Sequence, residues 1–179
     1  SFFDYLKSFE LPAKKAFRVN TAKISLEDFE KINPFGGDKI PYVENGFYLE
    51  YDKVGNHPYH HAGMIYVQEP AAMAPAECVE IENNWKILDM CAAPGGKSTL
   101  YASTVGNRGL VVANEYVRNR ANILADNIRK WGLGNVVVTN NYPAHSAAFE
   151  SWFDVVAVEA PCSGEGMFRK LDEAQEQWS

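Results

Sequence analysis

The sequence predicts an α/β fold: a mostly parallel sheet with helices on both faces, preceded by a small α+β appendage. Three observations lead there. Beyond residue 80, short apolar segments alternate with segments of helical periodicity, the order that a parallel sheet with crossover helices produces. The short segments, such as Val136-Val137-Val138-Thr139 and Asp154-Val155-Val156-Ala157-Val158, are apolar throughout rather than alternating, as strands buried on both faces are. Residues 1–60 instead hold short mixed segments, many aromatics and loop signals such as Asn33-Pro34, Gly36-Gly37, Asn45-Gly46, Gly55-Asn56 and His57-Pro58. The expected division is an appendage over residues 1–62 and the α/β domain over 63–179.

Within the appendage, Asn45-Gly46 sits between Ile40-Pro41-Tyr42-Val43 and Phe47-Tyr48-Leu49, a hairpin signal. In the α/β part, Lys86-Ile87-Leu88-Asp89-Met90 is the first strand. A Gly-Gly turn and a helix from about Lys97 to Val105 follow, with Gly106 placed to end it. Leu110-Val111-Val112-Ala113-Asn114 is the second strand. The next helix runs from Val117 to Trp131, with Val117, Ala121, Leu124, Ile128 and Trp131 at helical spacing as its buried face. Arg129 and Lys130 suit its last turn and Gly132 closes it. Residues 136–139 and 154–158 are the third and fourth strands. The common order for such a sheet puts the fourth strand beside the first. Were Ser179 the true end, that apolar strand would be an open edge, and Leu171 to Trp178 too short a helix to cover it. The expectation is that further strands are absent from this chain.

The chain has 179 residues, 46% of them hydrophobic, enough for a core. No run of eighteen apolar residues suggests a membrane span. Ser1-Phe2-Phe3-Asp4-Tyr5 lacks the basic start of a secretory signal. Three widely spaced cysteines, Cys78, Cys91 and Cys162, fit reduced thiols in the cytoplasm rather than a disulfide framework. The net charge of −6 disfavours a nucleic-acid binder, yet Lys14, Lys15, Arg18 and Lys23 form a local basic stripe with no acid among them. That stripe reads either as a phosphate contact or as an ordinary solvated face. His57, His60 and His61 cluster, but with no adjacent thiol or carboxylate they read as a polar loop, and no metal site is expected.

Ligands of open parallel sheets bind beyond the carboxyl ends of the strands. Three segments fall there. In Asp89-Met90-Cys91-Ala92-Ala93-Pro94-Gly95-Gly96-Lys97-Ser98-Thr99, small residues admit a ligand close to the backbone, and the helix that follows offers free N–H groups to an anion. The end of this segment fits a P-loop, but Cys91 occupies the place of the first glycine, so an ATP-binding loop fails by one essential residue. Glu115 ends the second strand about twenty residues after Gly95, a spacing that suits ribose hydroxyls as well as a solvated turn. In Val158-Glu159-Ala160-Pro161-Cys162-Ser163-Gly164, a carboxylate and a thiol meet at a strand end. Cys162 is there either a reactive thiol or a small buried hydrophobe.

Cys91-Ala92-Ala93-Pro94-Gly95-Gly96-Lys97 together with Ala160-Pro161-Cys162-Ser163-Gly164-Glu165-Gly166 resembles the Sun family (Nol/Nop/Sun) of RNA cytosine-5 methyltransferases. Gly164-Glu165-Gly166-Met167-Phe168-Arg169-Lys170 resembles the bacterial branch that modifies ribosomal RNA. Phe17-Arg18-Val19-Asn20-Thr21 and Tyr66-Val67-Gln68-Glu69-Pro70 add to the similarity. The resemblance implies a Rossmann-like methyltransferase fold with S-adenosylmethionine as methyl donor. It implies that Cys91, Ala92, Ala93, Pro94, Gly95, Gly96 and Lys97 hold the methionine end of the cofactor. Glu115 would hold its ribose, with Arg120 and Glu159 also at the site. It implies a ribosomal-RNA or small-subunit-particle substrate, RNA contact by the appendage, and a monomer when full length.

The sequence departs from the family's pattern at three places. Glu159 stands where the family has Asp, Tyr142 where it commonly has an adenine-side Asp, and no Thr-Cys-Thr segment is present. In the family the last of these carries the nucleophile, while the Pro-Cys cysteine, here Cys162, helps release product. The implied chemistry is addition of a thiolate to carbon 6 of cytosine, attack of carbon 5 on the methyl group, loss of the carbon-5 proton and elimination of the thiol. Glu159 is the candidate acid near N3. The base must leave its stack, which favours single-stranded or loop RNA. Two alternatives stand beside this one: a DNA cytosine-5 methyltransferase using Cys162 as nucleophile, and a non-catalytic RNA- or cofactor-binding module.

Overall fold

The computed structural model describes residues 2–8, 11–160 and 176. Residues Lys15–Glu159 form one compact unit that contains two sheets. A helix, α1 (Phe2–Ser8), lies outside that unit.

The first sheet is antiparallel, with β1 (Ala16–Val19) between β2 (Gly46–Tyr48) and β3 (Ile65–Val67). All four residues of β1 are buried, and its two faces do different work. Phe17 and Val19 enter a core with Phe29, Phe35, Phe47 and Ile65. The ring of Phe17 lies 5.2 Å from Phe35 and 5.6 Å from Phe47, within the range of favourable aromatic pairs. The opposite face carries Ala16, packed with Ile40, Val43 and Met73, and the charged Arg18. Phe29 comes from α2 (Leu26–Ile32), whose N-cap Ser25 accepts from the Asp28 amide at 3.1 Å.

The second sheet is parallel, in the order β6-β5-β4-β7, with β4 (Lys86–Asp89), β5 (Leu110–Asn114), β6 (Val136–Thr139) and β7 (Val155–Ala157). The fourth strand thus lies beside the first, as expected. One face takes α4 (Pro70–Glu77) and α5 (Gly96–Val105) through Ala76, Ile87, Tyr101, Ala102, Val105 and Val111. It also takes α6 (Arg118–Trp131) through Ala113, Leu124 and Ile128. On the other face, Leu88 and Val112 meet the turn Pro143–Phe149 around a cavity of about 320 Å³. Among the described residues β7 has a neighbour on one side only, and Val156 is 52% exposed. The expected helix Leu171–Trp178 lies outside the described residues, Glu176 excepted.

Several expectations are corrected. Asn45-Gly46 is not a two-residue hairpin turn. Residues 38–40 do face 46–48, through Tyr48 N to Asp38 O and Ile40 N to Gly46 O, both 2.9 Å. The loop between them is longer, because Val43 N turns back to Ile40 O and Gly46 is already in a strand paired with β1. Val117 is not on the buried face of α6. It is the N-cap, extended and 43% exposed, so the helical period starts one residue later. The antiparallel sheet also runs past residue 62, since β3 is its third strand and pairs Arg18 with Tyr66. No helix among the described residues is long and apolar enough to cross a membrane.

The sheets are joined by backbone acceptors that tolerate little intrusion. Asn20 Nδ2 donates to Gly63 O at 2.9 Å and to Trp131 O at 2.8 Å. Gly63 has φ +64°, and a Cβ there would lie 2.0 Å from Lys130 O. Gly63→Ala is expected to cost roughly 2–4 kcal/mol, from left-handed strain plus overpacking. Gly134→Ala, with no atom within 4 Å of the added Cβ, should stay within about 0.5 kcal/mol. Urea unfolding of both checks this; equal midpoints would contradict it.

Candidate functional site

The loop of residues 90–95 leaves β4 and runs into α5 at the carboxyl end of the parallel sheet. It is held from several sides. Met90 N donates to Ala157 O at 2.9 Å and Ala92 N to Asn114 O at 2.8 Å. From α6, Arg120 Nη2 donates to Ala93 O at 2.9 Å and Asn127 Nδ2 to Pro94 O at 2.8 Å. From β3, Tyr66 donates its hydroxyl to the same Pro94 carbonyl at 3.1 Å. With the carbonyls tied back, the loop and the first amides of α5 form a shaped edge. Gly95 is its pivot: φ is +111° and an added Cβ would meet Leu124 at 3.0 Å. Asp89, ending β4, is buried and accepts from Ser98 Oγ at 2.7 Å. Burial pushes its carboxyl above the usual range, partly offset by Ser98 and Lys97.

Glu115 directly follows the neighbouring strand β5 and is 4% exposed. Its Oε1 accepts from Val117 N at 2.9 Å. Its Oε2 is buried and makes no hydrogen bond among the described residues, with Arg120 Nη2 3.7 Å away. A buried carboxylate oxygen without a donor is costly, and a ligand hydroxyl would satisfy it. Beyond it, the exposed rings of Tyr116 and Tyr142 lie 4.5 Å apart, their hydroxyls 3.3 Å from each other. That hydrogen bond pushes the Tyr116 hydroxyl up.

Of the residues expected to form a site, the structure brings together 91–97, Glu115, Arg120 and Glu159. Lys97 is mostly buried and ion-pairs with the exposed Glu159. Arg120 braces the Ala93 carbonyl and lies near Glu115 rather than standing free. Cys162 lies outside the described residues, so its place relative to Glu159 is not described. The sequence points to no role at the cofactor loop for Arg18, Tyr66 or Asn127, Arg18 being read only as part of the basic stripe. The first two fall in segments already noted for their similarity, but Asn127 carries no signal beyond a polar residue on a helix. The basic stripe is corrected too. Arg18 is 0% exposed, and Lys23 Nζ is tied to Ala62 O at 2.6 Å and Lys130 O at 2.8 Å. Among the histidines, His57 caps α3 (Pro58–His61), accepting from Tyr59 N, and packs edge-on to Phe35. Burial and the Lys130 charge push His60 down. Among the described residues no three His, Cys, Asp or Glu side chains gather as a metal site.

A parallel sheet with a glycine-rich loop after its first strand and an acid just past its second is a Rossmann-like cofactor-binding arrangement, and the family match places the chain in the class of S-adenosylmethionine-dependent methyltransferases. The chain belongs, more narrowly, to the RsmB/F family. The family model "16S rRNA methyltransferase RsmB/F" matches residues 76–178, and "N-terminal domain of 16S rRNA methyltransferase RsmF" matches 1–70. The chain is 37% identical to "Ribosomal RNA small subunit methyltransferase F" of Citrobacter koseri, over 100% of this chain and 40% of that protein. A solved methyltransferase homologue from Pyrococcus horikoshii is 29% identical with a TM-score of 0.81, covering 95% of this chain and 57% of that one. NSun6 from the same organism shares the fold, with a TM-score of 0.79 at 18% identity over 89% of this chain and 66% of that one. The chain thus spans about 40% of the length of the curated relatives it matches.

Cys91 offers a test of the site's electrostatics. Burial and the carboxylates of Glu115 and Asp89 push its thiol up, with Arg120 opposing. Little thiolate is present near neutrality, so Cys91 is not a ready nucleophile. At pH 8 iodoacetamide should label the exposed Cys78 well before Cys91, the lag shrinking as pH rises. Peptide mapping checks this, and equal labelling rates would refute it.

Proposed function

We propose that this chain is the cofactor-binding core of an enzyme that transfers a methyl group from S-adenosylmethionine to carbon 5 of a cytosine in small-subunit ribosomal RNA. The observation that carries the cofactor side is the buried Oε2 of Glu115, which has no hydrogen-bond donor among the described residues and lies one strand over from the Gly95-Gly96 loop. It suits a ribose hydroxyl, while the small loop residues and the amide end of α5 suit a carboxylate. The RNA side is supported by relatives whose names include 16S rRNA or ribosomal RNA methyltransferase. The N-terminal sheet, with its boundary placed after Val67, is assigned the RNA contact.

S-adenosylmethionine supplies an electrophilic methyl group on a sulfonium. The residues of this chain bind and orient it. Glu115 accepts from the ribose, residues 91–97 hold the methionine end, and Arg120 steadies both by bonding Ala93 O and lying beside Glu115. Lys97 and Glu159 form a charged pair at the same strand ends. Glu159 is assigned the support of N3 as the thiolate adds to carbon 6, with Lys97 orienting it. Cys162 is assigned to product release. The sequence holds no Thr-Cys-Thr segment, so the attacking thiol is assigned to residues outside these 179. A DNA substrate attacked by Cys162 finds no support among the relatives.

Calorimetry with S-adenosylmethionine tests the cofactor reading. Gly95→Val, forced against Leu124 in a left-handed conformation, should lose at least about tenfold in affinity, and Glu115→Gln about tenfold. Unchanged affinity in both would sink the assignment. Turnover is tested by tritiated-methyl transfer. The 179-residue chain should bind cofactor yet give no multiple-turnover methylation of ribosomal RNA. Glu159→Gln in a longer relative-length protein should slow transfer about 10²-fold. Robust turnover by the 179-residue chain would instead make Cys162 the nucleophile.

A further inference from the structure

Arg18 has no role in the reading above, and its surroundings ask for one. The side chain is fully buried on the inner face of β1. Its Nε donates to Gln68 Oε1 at 3.1 Å, and its Nη2 donates to Thr99 Oγ1 at 2.8 Å and to the Gly96 carbonyl. The guanidinium carbon sits 5.5 Å from the ring centre of Tyr66 and 5.6 Å from that of Trp131. Its Nη1 is buried without a hydrogen-bond partner among the described residues. The ion pairs among those residues do not include it, and the acid it feels is Glu77. Burial lowers it to about 10, so it stays a cation at neutral pH.

This is an expensive arrangement. A buried charge without a close counter-ion costs stability, and an apolar side chain of similar size would serve a structural joint at less cost. The position makes the cost larger. Gly96 and Thr99 belong to the first turn of α5, the positive end of the helix, where a cation is repelled. The repulsion has a use if an anion sits at that end. The helix amides and the guanidinium then raise the same positive potential toward one ligand group. The Gly96 carbonyl is also held back by Arg18, which keeps the amide edge of the turn turned toward the loop.

We infer that Arg18 is a positioning residue for the carboxylate end of the cofactor, acting through the first turn of α5. The inference rests on the cofactor site proposed above. It distinguishes ligands by their amino-acid end: S-adenosylhomocysteine carries that end, its carboxylate included, and 5′-methylthioadenosine lacks the whole of it. A strut that merely supported the fold would affect both alike.

The test is calorimetry of the 179-residue chain with these two ligands. The variants are Arg18→Met, Arg18→Lys and Thr99→Val, with Asn20→Ala as a buried neighbour that bonds Gly63 and Trp131 and not α5. Arg18→Met should weaken S-adenosylhomocysteine about tenfold and leave 5′-methylthioadenosine within twofold. Arg18→Lys, which keeps the charge but not the fork, should recover part of the loss. Thr99→Val, which removes one acceptor without removing the cation, should shift the ratio in the same direction and serves if Arg18→Met does not fold. Asn20→Ala should lower thermal stability without moving the ratio of the two affinities. Equal loss of both ligands, or no loss of either, in Arg18→Met or Thr99→Val overturns the inference. Failure of the unsubstituted chain to bind either ligand overturns the cofactor site itself.

Discussion

The structure turns on a short stretch of chain, β1 and the turn after it, that places three polar side chains against the ends of two helices. Arg18 reaches the first turn of α5, Asn20 the Trp131 carbonyl, and Lys23 the Lys130 carbonyl. The last carbonyls of a helix have no intrahelical partner, and here side chains from another sheet supply the donors. Because the ligand loop runs into α5 and α6 begins three residues beyond Glu115, fixing these helices fixes both halves of the site. The antiparallel sheet is therefore less an appendage than a brace. Its remaining face pays the cost of ordering through the aromatic core around Phe17, Phe29 and Phe35.

A braced loop explains how a site can combine an open ligand edge with buried polar atoms. Backbone oxygens of Ala93 and Pro94 are satisfied by Arg120, Asn127 and Tyr66, so they impose no demand on a ligand. The demand that remains is at Glu115 Oε2 and at the amide end of α5. Those two points lie on adjacent parallel strands, β5 and the exit of β4. They set the orientation of a long ligand: a hydroxyl-bearing middle at one, an anionic end at the other. Lys97 and Glu159 complete the edge toward β7.

The parallel sheet was legible from sequence because its strands are uniformly apolar and its α6 face repeats at helical spacing. Ala121, Leu124, Ile128 and Trp131 are all buried. The positions of Glu115 just past β5 and of Gly95 before α5 follow from the strand and helix pattern. What failed to show were tertiary properties. Arg18 reads as one of four cations in a stripe, and only the packing of its face of β1 against α5 and Trp131 buries it. Val117 continues the helical period on paper but serves as an extended cap, since a helix must begin with a residue outside it. Asn45-Gly46 has the chemistry of a tight turn, yet pairing of Gly46 with Arg18 draws it into β2. Asn127 was beyond reach, because nothing local distinguishes a solvated asparagine from one that ties down a loop carbonyl.

The central claim is that one ligand spans Glu115 and the first turn of α5. A crystal structure of the chain with S-adenosylhomocysteine tests it most directly. The account requires a ribose hydroxyl within hydrogen-bond distance of Glu115 Oε2 and the amino-acid carboxylate at the amides opening α5. A ligand bound elsewhere, or reversed with its adenine at Gly95 and Gly96, would contradict it.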